Sequence, residues 1–120
     1  MITNTRSTCV QSLPRSERIA RLNDALRKTS LGGQIMVTRG VQSLDGFNTA
    51  KLVRALASHN EFDEDNDPHG ERDFGGIDLF GAELLWKIDY YSPDLMFRSN
   101  DPAEPAVTHR VLTILLAEEY

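Results

Sequence analysis

The stretch Phe74-Gly-Gly-Ile-Asp-Leu-Phe-Gly-Ala-Glu-Leu-Leu-Trp-Lys-Ile-Asp-Tyr-Tyr91 decides the fold. Two runs, Phe74–Phe80 and Glu83–Tyr91, flank Gly81-Ala82. A two-residue loop with glycine first favours a type II′ turn, which matches the natural twist of paired strands. That turn pairs Leu79 with Leu84 and Ile77 with Trp86. Side chains alternate along a strand, so Ile77, Leu79, Leu84, Trp86, Ile88 and Tyr90 then share one face. Asp78, Phe80, Leu85, Lys87, Asp89 and Tyr91 share the other, with Lys87 diagonal to Asp78. An antiparallel hairpin with one buried face is the expectation.

Upstream, Ile19, Leu22 and Leu26 recur at helical spacing over Pro14–Thr29, with Ala25 beside them. Arg15, Arg18, Arg21, Arg27 and Lys28 decorate that helix, and the last two suit its negative end. Gly32-Gly33 ends it, and Gln34–Thr38 reads as a short strand. Gly40–Gly46 reads as a turn region. Asn48 caps a second helix to about Ser58, with Leu52, Val53 and Leu56 inward. His59, at its end, is placed to interact with the helix dipole. Downstream of the hairpin, Ser92–Pro105 is turn-rich. Val107–Leu116 reads as a strand that turns helical at the tail. The fold class is α+β: two N-terminal helices packed on a mostly antiparallel sheet of about four strands. Residues 1–13 read as a flexible leader and 14–120 as one α+β domain.

The chain has 120 residues, 40% hydrophobic and 26% charged, enough apolar material for one modest core. No run approaches the roughly 20 apolar residues that cross a bilayer, and the first residues lack the apolar segment of a secretory signal. The lone Cys9 excludes an internal disulfide and any multi-cysteine zinc site. A cytoplasmic location is the resulting expectation. The net charge of -5 conceals a split. Residues 1–60 hold nine Lys/Arg against three Asp/Glu, and residues 61–120 hold four against fifteen. Such a split argues against a uniformly basic nucleic-acid binder and against a membrane-surface protein.

Much of the negative charge falls in Glu61-Phe-Asp-Glu-Asp-Asn-Asp-Pro-His-Gly-Glu-Arg-Asp73, too charged to bury and too broken by Pro68 and Gly70 to be regular. This is a loop, and the first candidate site. Asp63, Asp65 and Asp67 alternate like the first ligands of a calcium loop, but Pro68 stands at its turn glycine and Phe74 at its bidentate glutamate. In an extended chain His69, Glu71 and Asp73 would point one way, towards Asp89 on the hairpin. A histidine with Asp67, Glu71 and Asp73 could hold a divalent metal and activate water. Alternatively, His69 could act as a general base with Glu71 and Asp89 as the accompanying carboxylates. The basic first helix is a further candidate for phosphate contact, but it lacks interleaved aromatics and a helix-turn-helix partner.

Four stretches carry a resemblance: Leu22-Asn-Asp-Ala-Leu-Arg27, Asn66-Asp-Pro-His-Gly-Glu-Arg-Asp-Phe-Gly75, Trp86-Lys-Ile-Asp-Tyr-Tyr91, and Asp101-Pro102 through Arg110-Val-Leu-Thr-Ile114 to Leu116-Ala-Glu-Glu-Tyr120. In order and spacing they resemble the uncharacterised bacterial domain-of-unknown-function family 3768, over about residues 20–120. The resemblance implies a small intracellular protein often carried on plasmids and other mobile elements, with no activity to transfer. The family pattern has an aromatic residue at 69 and a histidine at 72, where this chain has His69 and Arg72. That departure weighs against catalysis. The favoured reading is therefore a non-enzymatic protein that binds another protein, with no cofactor, through Asp63, Glu64, Asp65, Asp67, Glu71 and Asp73 and the outer hairpin face. A mobile-element accessory or anti-defence role fits it, since carboxylates can stand in for phosphates in a nucleic-acid groove. The alternative is a metal-dependent hydrolase or nuclease built on residues 67–89.

Overall fold

The hairpin at residues 74–91 supplies one edge strand and one central strand of the sheet, and its buried face collects the rest of the chain. The structure, a computed structural model, describes residues 13–120. Cys9 and the leader up to residue 12 lie outside the described residues. In chain order the elements are helix α1 (Arg15–Thr29), strand β1 (Gly33–Val37), the short helix α2 (Arg39–Gln42), helix α3 (Thr49–Ser58), β2 (Phe74–Leu79), β3 (Ala82–Tyr91) and β4 (His109–Leu116). Single 3-10 turns lie at Pro105–Val107 and Ala117–Glu119. The strands lie in the order β1-β4-β3-β2, with β1 parallel to β4 and the other pairs antiparallel. This is the expected α+β class.

The core face of the hairpin is as the alternation predicts, but the turn is not. Leu79 pairs with Ala82, Ile77 with Leu84 and Gly75 with Trp86. The loop is Phe80-Gly81, both at positive φ (55° and 73°), which is the type I′ pattern. The pairing is displaced by two residues, so every side chain keeps its face. Phe80 is the exception: it leaves the outer face and meets Phe47 edge-on at 5.6 Å between centroids. Such an aromatic contact helps to hold a bulky residue at a φ that normally disfavours it. Lys87 consequently faces Phe74 and pairs with Asp89 at 2.7 Å, not with Asp78.

Leu26, Val41, Leu52 and Leu56 from the helices pack on Leu84, Trp86, Ile88, Leu112 and Ile114 from the sheet. Each such aliphatic side chain contributes roughly 1.5–3 kcal/mol when fully buried. α3 begins at the expected cap, with the Asn48 side chain accepting the Lys51 N–H at 3.0 Å. Val53, however, is exposed and only Leu52 and Leu56 are buried. The expected turn at Gly40–Gly46 contains a helical turn instead, because the Thr38 hydroxyl caps α2 and Val41 drops into the core.

On α1 the buried stripe runs through Ile19, Ala20, Asn23, Leu26 and Arg27, while Ala25 is exposed and Leu22 half-buried. Two polar residues have thus entered the core. Arg27 does not decorate the end of its own helix. It reaches across to the last carbonyls of α3, donating to Leu56 O at 2.9 Å and His59 O at 2.6 Å. Those are the acceptors a helix end leaves unpaired, so a buried guanidinium there serves as a cap from outside. Asp24 balances its charge at 3.0 Å, and the rings of Phe62 and Trp86 lie against it at 5.4 and 5.6 Å. With these carbonyls taken, His59 does not act as a dipole-stabilising cation. Burial, and then Arg27, hold its pKa below the ordinary value, so it is a neutral ring.

Candidate functional site

The acidic loop is built, not merely left over. Phe62 anchors its start, packing edge-on against His59 at 4.9 Å and Trp86 at 6.1 Å. Asp63 turns its carboxylate back onto the chain and accepts the N–H groups of Asp65 at 2.9 Å and Asn66 at 3.0 Å. Asn66 returns the contact, accepting from the Asp63 N–H and donating to Glu61 O, both at 2.9 Å. These are the side-chain to backbone bonds by which Asp and Asn shape turns. Asp67 accepts the Arg72 N–H at 3.0 Å and closes the loop's far end.

Three tethers fix that far end to the body. The Asn23 amide donates to Glu71 O at 3.0 Å and to the Tyr90 hydroxyl at 2.8 Å. The Tyr90 hydroxyl in turn donates to the Glu71 carboxylate at 3.0 Å. The Arg72 guanidinium pairs with Asp24 at 2.9 Å and Glu17 at 3.2 Å, and its hydrogen bond is the main reason the Glu17 carboxyl lies below its ordinary pKa. Beneath this network, buried Arg110 donates to Asn23 at 2.9 Å and to Pro102 O, and lies over the Tyr90 ring at 5.3 Å. Burial raises the Tyr90 hydroxyl pKa, so it remains a neutral donor.

The proposed site residues separate into distinct groups. Glu64, Asp65 and His69 are exposed and make no side-chain hydrogen bond among the described residues. Asp63 is exposed but shapes its turn. Asp67 and Glu71 are half-buried and hold the loop. Asp73 is half-buried, with no side-chain partner among the described residues. Burial, and then the Glu71 charge, raise its pKa above the ordinary 3.8. The expected alignment of His69, Glu71 and Asp73 does not form, because Gly70 and Arg72 take positive φ (68° and 51°) and break the extended chain. Glu71 meets Tyr90 on the inner side of the sheet, whereas Asp89 lies on the outer face against Lys87. His69, Glu71 and Asp89 therefore do not form a catalytic group. Among the described residues no three His, Cys, Asp or Glu side chains are placed to hold a metal ion, so Asp67, His69, Glu71 and Asp73 are not gathered as ligands.

Asp73 and Asp89 do share one feature. Both line a cleft of about 280 Å³ along the edge of β3, with Tyr91 and Arg98. On α1, Arg15 faces Asp101 at 3.1 Å, Arg21 faces Glu17 at 3.2 Å and Arg27 is buried. The helix thus offers no continuous row of free cations for phosphates.

Sequence reasoning missed Asn23, Arg27 and Arg110, the polar residues that fix the loop and the core. A signal was available. Ile19, Asn23 and Arg27 fall at i, i+4, i+8 on one helix stripe, and Arg110 has the same strand parity as Leu112 and Ile114.

The fold and site together define a two-layer α+β protein that presents an acidic loop held from beneath by buried polar side chains. The chain belongs to the family described as Protein of unknown function (DUF3768), which matches residues 37–119. The matched region takes in the loop, the hairpin and β4, and it begins after α1 and its Leu22–Arg27 stretch. No curated protein and no solved structure matches the chain. Among the described residues, no helix is long and apolar enough to cross a membrane.

Proposed function

We propose that this protein is a binding module that docks a basic surface of another protein onto the loop at residues 61–73. One observation carries the reading: among the described residues, no acid of this loop makes an ion pair. Glu61, Asp63, Glu64 and Asp65 are exposed, on a loop held at its start by Phe62 and at its end by Asn23 and Arg72. A loop needed only for solubility has no use for these tethers. Charge fixed in place is what steers and orients a complementary partner, at little ordering cost on binding. Asp63, Glu64 and Asp65 make the first contact, and Asp67, Glu71 and Asp73 hold or extend the surface behind them. Carboxylates so arranged can occupy a groove built for phosphates, and this suits an accessory or anti-defence protein of a mobile element.

The test is affinity capture from a host lysate, comparing wild type with Asp63→Lys/Glu64→Lys/Asp65→Lys. The expected result is a partner retained by wild type and lost from the variant. Recovery of the same proteins by both would reject the reading.

A further inference from the structure

All three helices bury their apolar residues against one face of the sheet, and among the described residues the other face has no helix over it. Its centre is the Lys87–Asp89 ion pair at 2.7 Å. On either side lies a shallow groove, and both grooves include these two residues. One, of about 360 Å³, is floored by Val111 and Thr113 and walled by Met36, Tyr91 and Leu95. The other, of about 380 Å³, runs past Leu115 to Glu119 and Tyr120. Beyond the first groove the chain turns out into Leu95, Met96 and Phe97, which are 52%, 72% and 71% exposed. This tip is not frayed. Ser92 N–H donates to Phe97 O at 2.7 Å and Met96 N–H to the Asp94 carboxylate at 3.0 Å, with Leu95 held at φ 65°. Three consecutive exposed apolar side chains on an ordered turn mark a contact surface.

We propose that the outer face of the sheet is the contact surface of a homodimer. Leu85 and Tyr91 lie three residues to either side of Ile88; Leu115 pairs with the first, and Leu95 borders the second. A two-fold axis running across the strands at Ile88 would therefore set the apolar tip of one copy towards the Leu115–Tyr120 groove of the other, and Lys87 of each copy opposite Asp89 of its mate. Such matching of one patch to itself is what a two-fold interface requires. Charge also selects the occupant: a basic protein is drawn to the unpaired acids of residues 61–73, whereas the balanced pair at the centre of this face suits a second copy.

Sedimentation equilibrium at neutral pH, from about 1 to 500 µM, bracketing the usual range of stable and transient dimers, tests this. The wild type is expected to approach twice 13.5 kDa. Phe97→Asp, a surface change whose fold is checked by its melting curve, is expected to weaken association at least about tenfold, the effect of losing one buried anchor. Lys87→Asp should weaken it as well, and Lys87→Asp/Asp89→Lys should restore it. Asp63→Lys should leave the mass unchanged, which separates this surface from the docking loop. A wild type that sediments as a single chain throughout, or variants that all associate as the wild type does, would overturn the proposal.

Discussion

Asp73 sits half-buried beside Glu71 and Asp67, with no ion pair or side-chain hydrogen bond among the described residues, and the weaker opposing pull of its backbone hydrogen bond and of His69 does not offset burial and the neighbouring carboxylates. Burial and like charge favour its neutral form, so its pKa in the folded chain lies above the unfolded value of 3.8. The sign of the linkage follows. Between those two values the folded state holds the extra proton, so stability falls as the pH rises through this window and stays lowered above it. Asp73→Asn is therefore expected to raise the melting temperature at pH 7 by about 3 °C, somewhat under 1 kcal/mol for a chain of this size. The gain should vanish below pH 3.8. A variant less stable than wild type at pH 7 would mean that the carboxylate has a partner the fold depends on. Arg27 and Arg72 show why residue roles were hard to read in the sequence. Both look like solvent cations by type, yet one caps α3 from within the core and the other fastens the loop to α1. Their acceptors lie 29 and 48 residues away, at distances along the chain that no local pattern encodes.

The hairpin illustrates which features of an element local sequence determines. The identity of its buried face follows from period-two alternation alone, and it holds in β2 and β3. The turn does not, because loops at Phe80-Gly81 and Gly81-Ala82 differ in register by two residues and place the same side chains inside. Helix α2 was hidden for a similar reason: its single turn is too short to show a period, and only the Thr38 cap and buried Val41 mark it. Close packing adds a constraint on β2. A Cβ at Gly75 would sit 2.6 Å from Trp86 Nε1 and 2.8 Å from His59 Nε2. Both nitrogens are buried without a partner among the described residues, so the pocket around them has no slack. Gly75→Ala is expected to destabilise the chain by about 1–3 kcal/mol, the usual range for overpacking. Urea denaturation followed by Trp86 fluorescence reads this directly. An unchanged midpoint would show that the indole and imidazole can move aside.

At the scale of the whole molecule, strand order was beyond the sequence, since β1 meets β4 across more than half of the chain and nothing local selects that partner. The charge split was visible from composition, and the structure gives its consequence. The two halves do not cancel by pairing. Among the described residues a single ion pair, Arg15 with Asp101, joins a cation of residues 1–60 to an acid of residues 61–120. Arg72 runs the other way, spending a cation of the acidic half on Glu17 and Asp24. The loop at residues 61–73 is left with its charge unspent, and that surplus is the basis of the proposed docking. The ionic-strength dependence of binding to the captured partner measures it most directly. Between about 50 and 300 mM salt, where the screening length falls from roughly 14 to 6 Å, wild-type affinity should drop steeply. Asp63→Lys/Glu64→Lys/Asp65→Lys should bind at least about thirtyfold more weakly at the low end, with a nearly flat salt response. Equal affinities and equal salt slopes for the two proteins would contradict the account.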